Sequence, residues 1–337
     1  MTDLQRVTVL AGGVGGARFT RGLLAHLTDA YPDGKGGSRV TVTVVVNTGD
    51  DMTLNGLRVC PDLDTVMYTL GGGISEEQGW GRDDETRRVS GEIAAYGKGW
   101  DWFTLGDLDL GTHIVRTELL RDGATLSEAT GYLCRRWRPQ ARLLPMSDTP
   151  VETHVRLGEA VDEHPQGSLI HFEEWWVRYR AGVPATEFVQ VGLESAVAAP
   201  GVIEAIRDSD VVILPPSNPV VSVGTILNVP GIREAVRETR ARVVGVSPII
   251  GGAAVRGMAD ACLTVIGVET SAGAVGLHYG GRRSGGLLDG WLVDEVDADA
   301  VTALEAAGIA ARAVPLWMRD VPTTSQMAAA ALDLAMS

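Results

Sequence analysis

Residues 42–73 read VTVVVNTGDDMTLNGLRVCPDLDTVMYTLGGG. The run VTVTVVVN is nearly all β-branched, which suits a central parallel strand buried on both faces. Its carboxyl end delivers Asn47, Thr48, Gly49, Asp50 and Asp51. Ligands of open α/β sheets gather at the carboxyl ends of strands, so two adjacent acids there are well placed for chemistry. Pro61 then opens a helix with Asp62 and Asp64 in its first turn, where proline and acids stabilise a helix start by ~0.3–1 kcal/mol per charge. Capping accounts for one acid but not readily for four. Residues two apart on a helix point to nearly opposite sides, so Asp62 is assigned to capping. Asp50 and Asp64 become the pair expected to converge on a hard divalent cation such as Mg2+, with Asp51 in reserve.

Upstream, RVTVLAGG reads as a strand and ARFTRGLLAHLTDAY as a helix by its apolar spacing. Between them Gly12, Gly13, Gly15 and Gly16 let backbone N–H groups approach a phosphate at a helix N-terminus. The match to a dinucleotide fingerprint is imperfect, because Arg18 stands at the third glycine position and Asp50 lies well beyond the ~20 residues that separate glycines and ribose acid in that motif. A nicotinamide-dependent dehydrogenase is therefore the runner-up reading.

The chain has 337 residues and 45% hydrophobic content, enough for a sizeable core. With 29 Lys+Arg against 43 Asp+Glu its formal net charge is −14, which opposes binding to nucleic acid or an anionic membrane. An anionic small molecule would need backbone donors, a few arginines or a divalent cation to offset that repulsion. Cys60, Cys134 and Cys262 form no CxxC pair and read as buried small hydrophobes. No run reaches the ~18 apolar residues of a membrane span, and the N-terminus lacks a secretory pattern. A cytoplasmic location is expected.

Beyond Gly73 the segments GWGRDDETRRVSGEIAAYG, DLDLGTHIVRTELLRDG and LSEATGYLCRRWRPQA carry helical periodicity. VETHVRL and LIHFEEWWVRYR suggest a β-hairpin excursion. The spacing thus predicts a single Rossmann-like α/β unit over 1–337, its mostly parallel sheet covered by helices on both faces. Its core is expected at 1–75 and 185–337, with a substrate-binding insertion at about 76–184. VQVGL is read as a strand within the core. Trp80, Trp100, Trp102, Thr104, Asp107, Asp109 and His113 fall in the insertion, either as packing and caps or as a wall for a flat aromatic substrate. Ser217 and Asn218 follow one later strand, and Ser247 and Gly251 the next, where a nucleotide binds or a plain turn forms.

The blocks LAGGVGGARF, VVNTGDD, CPDLDTVMYTLGGG, LGDLDLGTH, LLPMSD, HFEEWWV, PPSNPVVSVGTIL and VSPIIGG run in order along most of the chain. By them it resembles the 2-phospho-L-lactate transferase family of coenzyme F420 biosynthesis, most closely its actinobacterial phosphoenolpyruvate transferase branch. The resemblance implies a Mg2+-dependent, homodimeric enzyme that moves a lactyl- or enolpyruvyl-phosphate group from a diphosphoguanosine donor to the deazaflavin Fo, releasing GMP. It places Asp64, Trp102 and Thr104 against Fo, with Asp50 and Asp64 as metal ligands and catalytic groups. Gly12, Gly13, Gly15, Gly16, Ser217, Asn218, Ser247 and Gly251 would hold the nucleotide. A non-enzymatic nucleotide-sugar-binding regulator is the alternative of a different class.

Overall fold

The computed structural model describes residues 4–337. Seven strands form the main sheet: β1 (Arg6–Ala11), β2 (Thr41–Val46), β3 (Arg142–Pro145), β4 (Val211–Leu214), β5 (Arg242–Val246), β6 (Gly290–Val293) and β7 (Ala310–Ala313). They are all parallel, in the order β3-β2-β1-β4-β5-β6-β7. This is a doubly wound order whose direction reverses between β1 and β4, which puts the ligand crevice at the carboxyl ends of those two strands.

Strand composition explains the layering. Successive side chains alternate faces, so Val42, Val44 and Val46 join one core with Phe19, Leu23 and Leu27 of the first helix, Gly13–Ala30, and Met327 and Ala331 of the last, Val321–Met336. Val45 turns the other way, to a second core with Leu10, Leu214, Ile226 and Trp291. Each large apolar side chain so buried contributes about 1.5–3 kcal/mol.

Two excursions leave the sheet on either side of β3. The first begins with a hairpin, Met52–Leu54 against Leu57–Val59. Its two-residue turn is Asn55-Gly56, both at positive φ (53° and 78°), a strong local hairpin signal. Helices Pro61–Gly71, Arg88–Ala95, Asp107–Arg121 and Leu126–Trp137 follow. The second excursion is a three-stranded antiparallel sheet in which Glu152–Leu157 lies between Leu169–His171 and Ala185–Val191.

Three expectations change. Arg142–Pro145, inside the stretch expected as an insertion at 76–184, pairs in parallel with Thr43–Val46 and belongs to the main sheet. The strand read from VQVGL runs over Ala185–Val191 and belongs to the antiparallel excursion instead of the core, because it pairs with Glu152–Leu157. EEWWVR is a single π turn, Glu174–Arg178. Trp175 there is fully buried and donates from Nε1 to the Val183 carbonyl at 2.8 Å.

Candidate active site

The glycine loop closes on the β4 loop with almost no room to spare. A Cβ on Gly15 would lie 2.3 Å from the Pro216 carbonyl oxygen, and one on Gly12 would lie 2.4 Å from Ser222 Cβ. Gly13 takes φ +37°, which side chains rarely adopt. Gly16 would strike Ala11 Cβ at 2.7 Å, so it fills the helix–strand packing role that Arg18 fails to match in the dinucleotide pattern. Ser217 Oγ donates to the Gly12 carbonyl at 2.9 Å and accepts from Gly12 N, tying the two loops together.

Against this loop sits a group of buried acids whose membership differs from the sequence expectation. Asn47, at the end of β2, donates its side-chain amide to Asp62 Oδ2 at 2.9 Å and lies 3.3 Å from Asp50 Oδ2. Asp62 also lies against the backbone of Gly13. The helix does send Asp62 and Asp64 to different sides, but Asp62 faces the crevice. Burial, opposed by hydrogen bonds from Asn47 and Gly13, brings Asp62 to about 6. Burial, with the charge of Asp62, raises Glu173 to about 8. Asp50 moves upward through burial and then through the charges of Asp62, Glu173 and Asp51. Its Oδ1 is buried with no hydrogen-bond partner among the described residues. Asp50 and Asp62, tied through Asn47 and one of them with an orphaned oxygen, are the carboxylates that this group offers a hard cation.

Asp64 does not join them. Arg116 Nη1 reaches Asp64 Oδ2 at 3.0 Å and Nη2 closes on Oδ1, with both residues buried. His113 Nδ1 lies 3.5 Å from Asp64 Oδ2, His113 Nε2 lies 3.2 Å from Asp109 Oδ2, and Tyr68 donates to Asp109 at 2.6 Å. Asp64, Asp109 and His113 bring ligand atoms within 4.8 Å of one another. The Arg116 cation already supplies the positive charge there. Asp51 lies 3.5 Å from Arg58, which also pairs with Glu152, and burial brings its carboxyl to about 7.

His171 links the two excursions beside the acids. Its Nδ1 accepts from Glu173 N at 3.1 Å while Nε2 lies 3.3 Å from the Asp51 carbonyl. Burial lowers its pKa, and the neutral ring carries its proton on Nε2. Of the other expected nucleotide residues, Asn218 accepts from Val220 N and Val221 N as turn chemistry, and its amide reaches toward Cys262, whose thiol feels the Asp50 charge. Ser247 closes its own turn through Ile249. Gly251 donates its N–H to Asp297. Trp102 is half-buried and stacks on Trp100 at 4.8 Å, and Thr104 is exposed two residues on. Sequence reasoning gave no role to Asn47, Glu173 or His171. The paired Glu173-Glu174 amid aromatics was the available signal for the second.

Fold and site place the chain in the class of doubly wound α/β proteins whose crevice opens at the switch point of the sheet. The family of 2-phospho-L-lactate transferase CofD matches it over residues 7–318. The chain belongs to that family of transferases. It is 59% identical to the phosphoenolpyruvate transferase of Streptomyces coelicolor and 60% identical to that of Thermobifida fusca, each over 98% of both chains. The phosphoenolpyruvate transferase of Mycolicibacterium smegmatis is 54% identical over 98% of this chain and 99% of its own. Among solved structures, a UPF0052 family protein from Bacillus halodurans covers 98% of this chain and 100% of its own, with TM-score 0.61 at 19% identity, a likeness of fold. Among the described residues no helix is long and apolar enough to cross a membrane.

Proposed function

We propose that the protein transfers a phosphoenolpyruvate or 2-phospho-L-lactate moiety from enolpyruvyl- or lactyl-diphospho-5'-guanosine to Fo, giving dehydro coenzyme F420-0 or F420-0 and GMP. The observation that carries this reading is the seating of Asp50 and Asp62, with Glu173 coupled to them, beside a loop whose glycines leave no room for a Cβ. Backbone donors meet carboxylates there, as transfer at a diphosphate requires. Membership of a transferase family favours it over a dehydrogenase or a nucleotide-sugar-binding regulator.

The Fo ribityl hydroxyl attacks the phosphorus that bears the three-carbon acid. The bond from that phosphorus to the oxygen of GMP breaks, and GMP leaves with the electron pair. The hydroxyl proton passes to a carboxylate of the group that the cation does not engage. Asp50 and Asp62, bridged by Asn47, are the residues that would hold Mg2+, which supplies neutralisation of charge on phosphate oxygens when bound. Asn47 fixes Asp50 and Asp62 relative to each other. Trp102, beside Trp100, offers a stacking surface for the flat deazaflavin, with Thr104 nearby. The protein is expected to act as a cytoplasmic homodimer.

Incubation with Fo, Mg2+ and each donor, followed by mass detection of product and GMP, tests the reading. Retained binding of nucleotide sugars without turnover of either donor would overturn it.

A further inference from the structure

Arginines gather where a chain of net charge −14 has little reason to place them. Arg18 and Arg21 lie three residues apart on the first helix, Arg18 nearer the glycine loop. Arg21 is ion-paired with Glu76. Two residues on from Glu76, the Gln78 carbonyl accepts from Arg256 Nη2, which arrives from the loop after β5. The Arg256 guanidinium lies against Gly79, where an added Cβ would meet Nη2 at 2.8 Å, and 5.8 Å from the centroid of the Trp80 ring. Arg256 therefore has a fixed pose, yet it is exposed and has no acidic partner among the described residues. Arg18 makes no ion pair among them either.

The two cations feel each other. Burial and then the charge of Arg18 depress the pKa of Arg256. Glu76, held low first by its hydrogen bond from Arg21, also feels Arg18. Glu76 thus answers Arg21 and Arg18, while Arg256 has no ion pair among the described residues. Like charges held together in the free protein are a standing cost, relieved when an anion enters between them. A planar fork stacked on an aromatic ring is also suited to bidentate recognition of phosphate or carboxylate.

We propose that Arg18 and Arg256 form an anion subsite at the rim of the glycine loop that grips a negatively charged oxygen group of the donor, either its diphosphate or its three-carbon carboxylate. This rests on the donor class proposed above. Arg21 and Glu76 position Arg18 by neutralising each other on its flank, while Trp80, Gly79 and the Gln78 carbonyl hold Arg256.

Calorimetric titration of inorganic pyrophosphate, GDP and the diphosphoguanosine donor into the full-length protein and its Arg18→Gln and Arg256→Gln variants tests the subsite. Each substitution is expected to weaken binding about tenfold at low ionic strength, with the difference shrinking as salt rises. Loss for all three ligands assigns the grip to the diphosphate. Loss for the donor alone assigns it to the carboxylate. Arg256→Lys keeps the charge but not the stacked fork and should fall between. If the double Gln variant, with an unchanged melting temperature, binds all three ligands within about twofold of the parent, the subsite is overturned. A parent protein that makes no product from Fo while these affinity losses persist sinks the transfer reading alone.

Discussion

Arg116 holds both carboxylate oxygens of Asp64 inside the protein, through Nη1 at 3.0 Å and through Nη2. Removing one member of such a pair strands the other charge in a dry environment, at a cost of about 3–5 kcal/mol. Asp64→Asn and Arg116→Met are each expected to lose that much stability in denaturant titrations. The double variant should recover most of it. Loss of activity without loss of stability in Asp64→Asn would instead show that Asp64 works on substrate or metal.

The acids beside the glycine loop set a pH dependence of opposite sense to an ordinary ion-paired carboxylate. Their folded pKa values lie above the unfolded ones, so the stability they contribute is complete below about pH 4. It is lost as pH rises through about 6 for Asp62 and about 8 for Glu173. Glu173→Gln should flatten the fall in melting temperature across that window. Mg2+ should raise the melting temperature more at the alkaline end than at the acid end, and Asp50→Asn should reduce that rise.

Gly15 and Gly91 make a matched pair of substitutions. Alanine at Gly15 would press on the Pro216 carbonyl, whereas Gly91, in the helix Arg88–Ala95, has open space around it. Gly15→Ala is expected to cost about 1–3 kcal/mol and to weaken GDP binding. Gly91→Ala should gain about 0.5–1 kcal/mol and leave binding alone. Thermal melts with and without GDP read both.

Trp102→Ala removes one ring of the Trp100–Trp102 stack. If that ring carries the deazaflavin, KM for Fo should rise about tenfold, the equivalent of a ~1–3 kcal/mol stacking contact. GDP affinity and melting temperature should hold. An unchanged KM would reduce the stack to packing.

The sheet was legible because β-branched runs such as VTVTVVV leave few alternatives to a buried parallel strand. Pro61 announced its helix for the same kind of local reason. The glycine loop was legible through composition, and hydrogen bonds between Gly12 and Ser217 bring together two of the residues named for the nucleotide. What stayed hidden was long-range. Helical geometry separates Asp62 from Asp64, but which one faces Asp50 depends on where Arg116 and Asn47 lie. Arg116 comes from a helix whose docking no local pattern reveals. Glu173 reaches the site only after the π turn and the antiparallel strands bring it back. Asn55-Gly56, by contrast, carried its hairpin signal in two adjacent residues, which the sequence reading passed over.

The contact between His171 and the Asp51 carbonyl spans 120 residues, and Glu173 reaches the acids by the same bridge. Loop closure of that length is among the slower demands in folding. In the unfolded chain water solvates Asp50 and Asp62, and folding buries both. Asp50 and Asp62 crowd each other within a short stretch of chain, through Asn47, and the second excursion adds the charge of Glu173 to theirs.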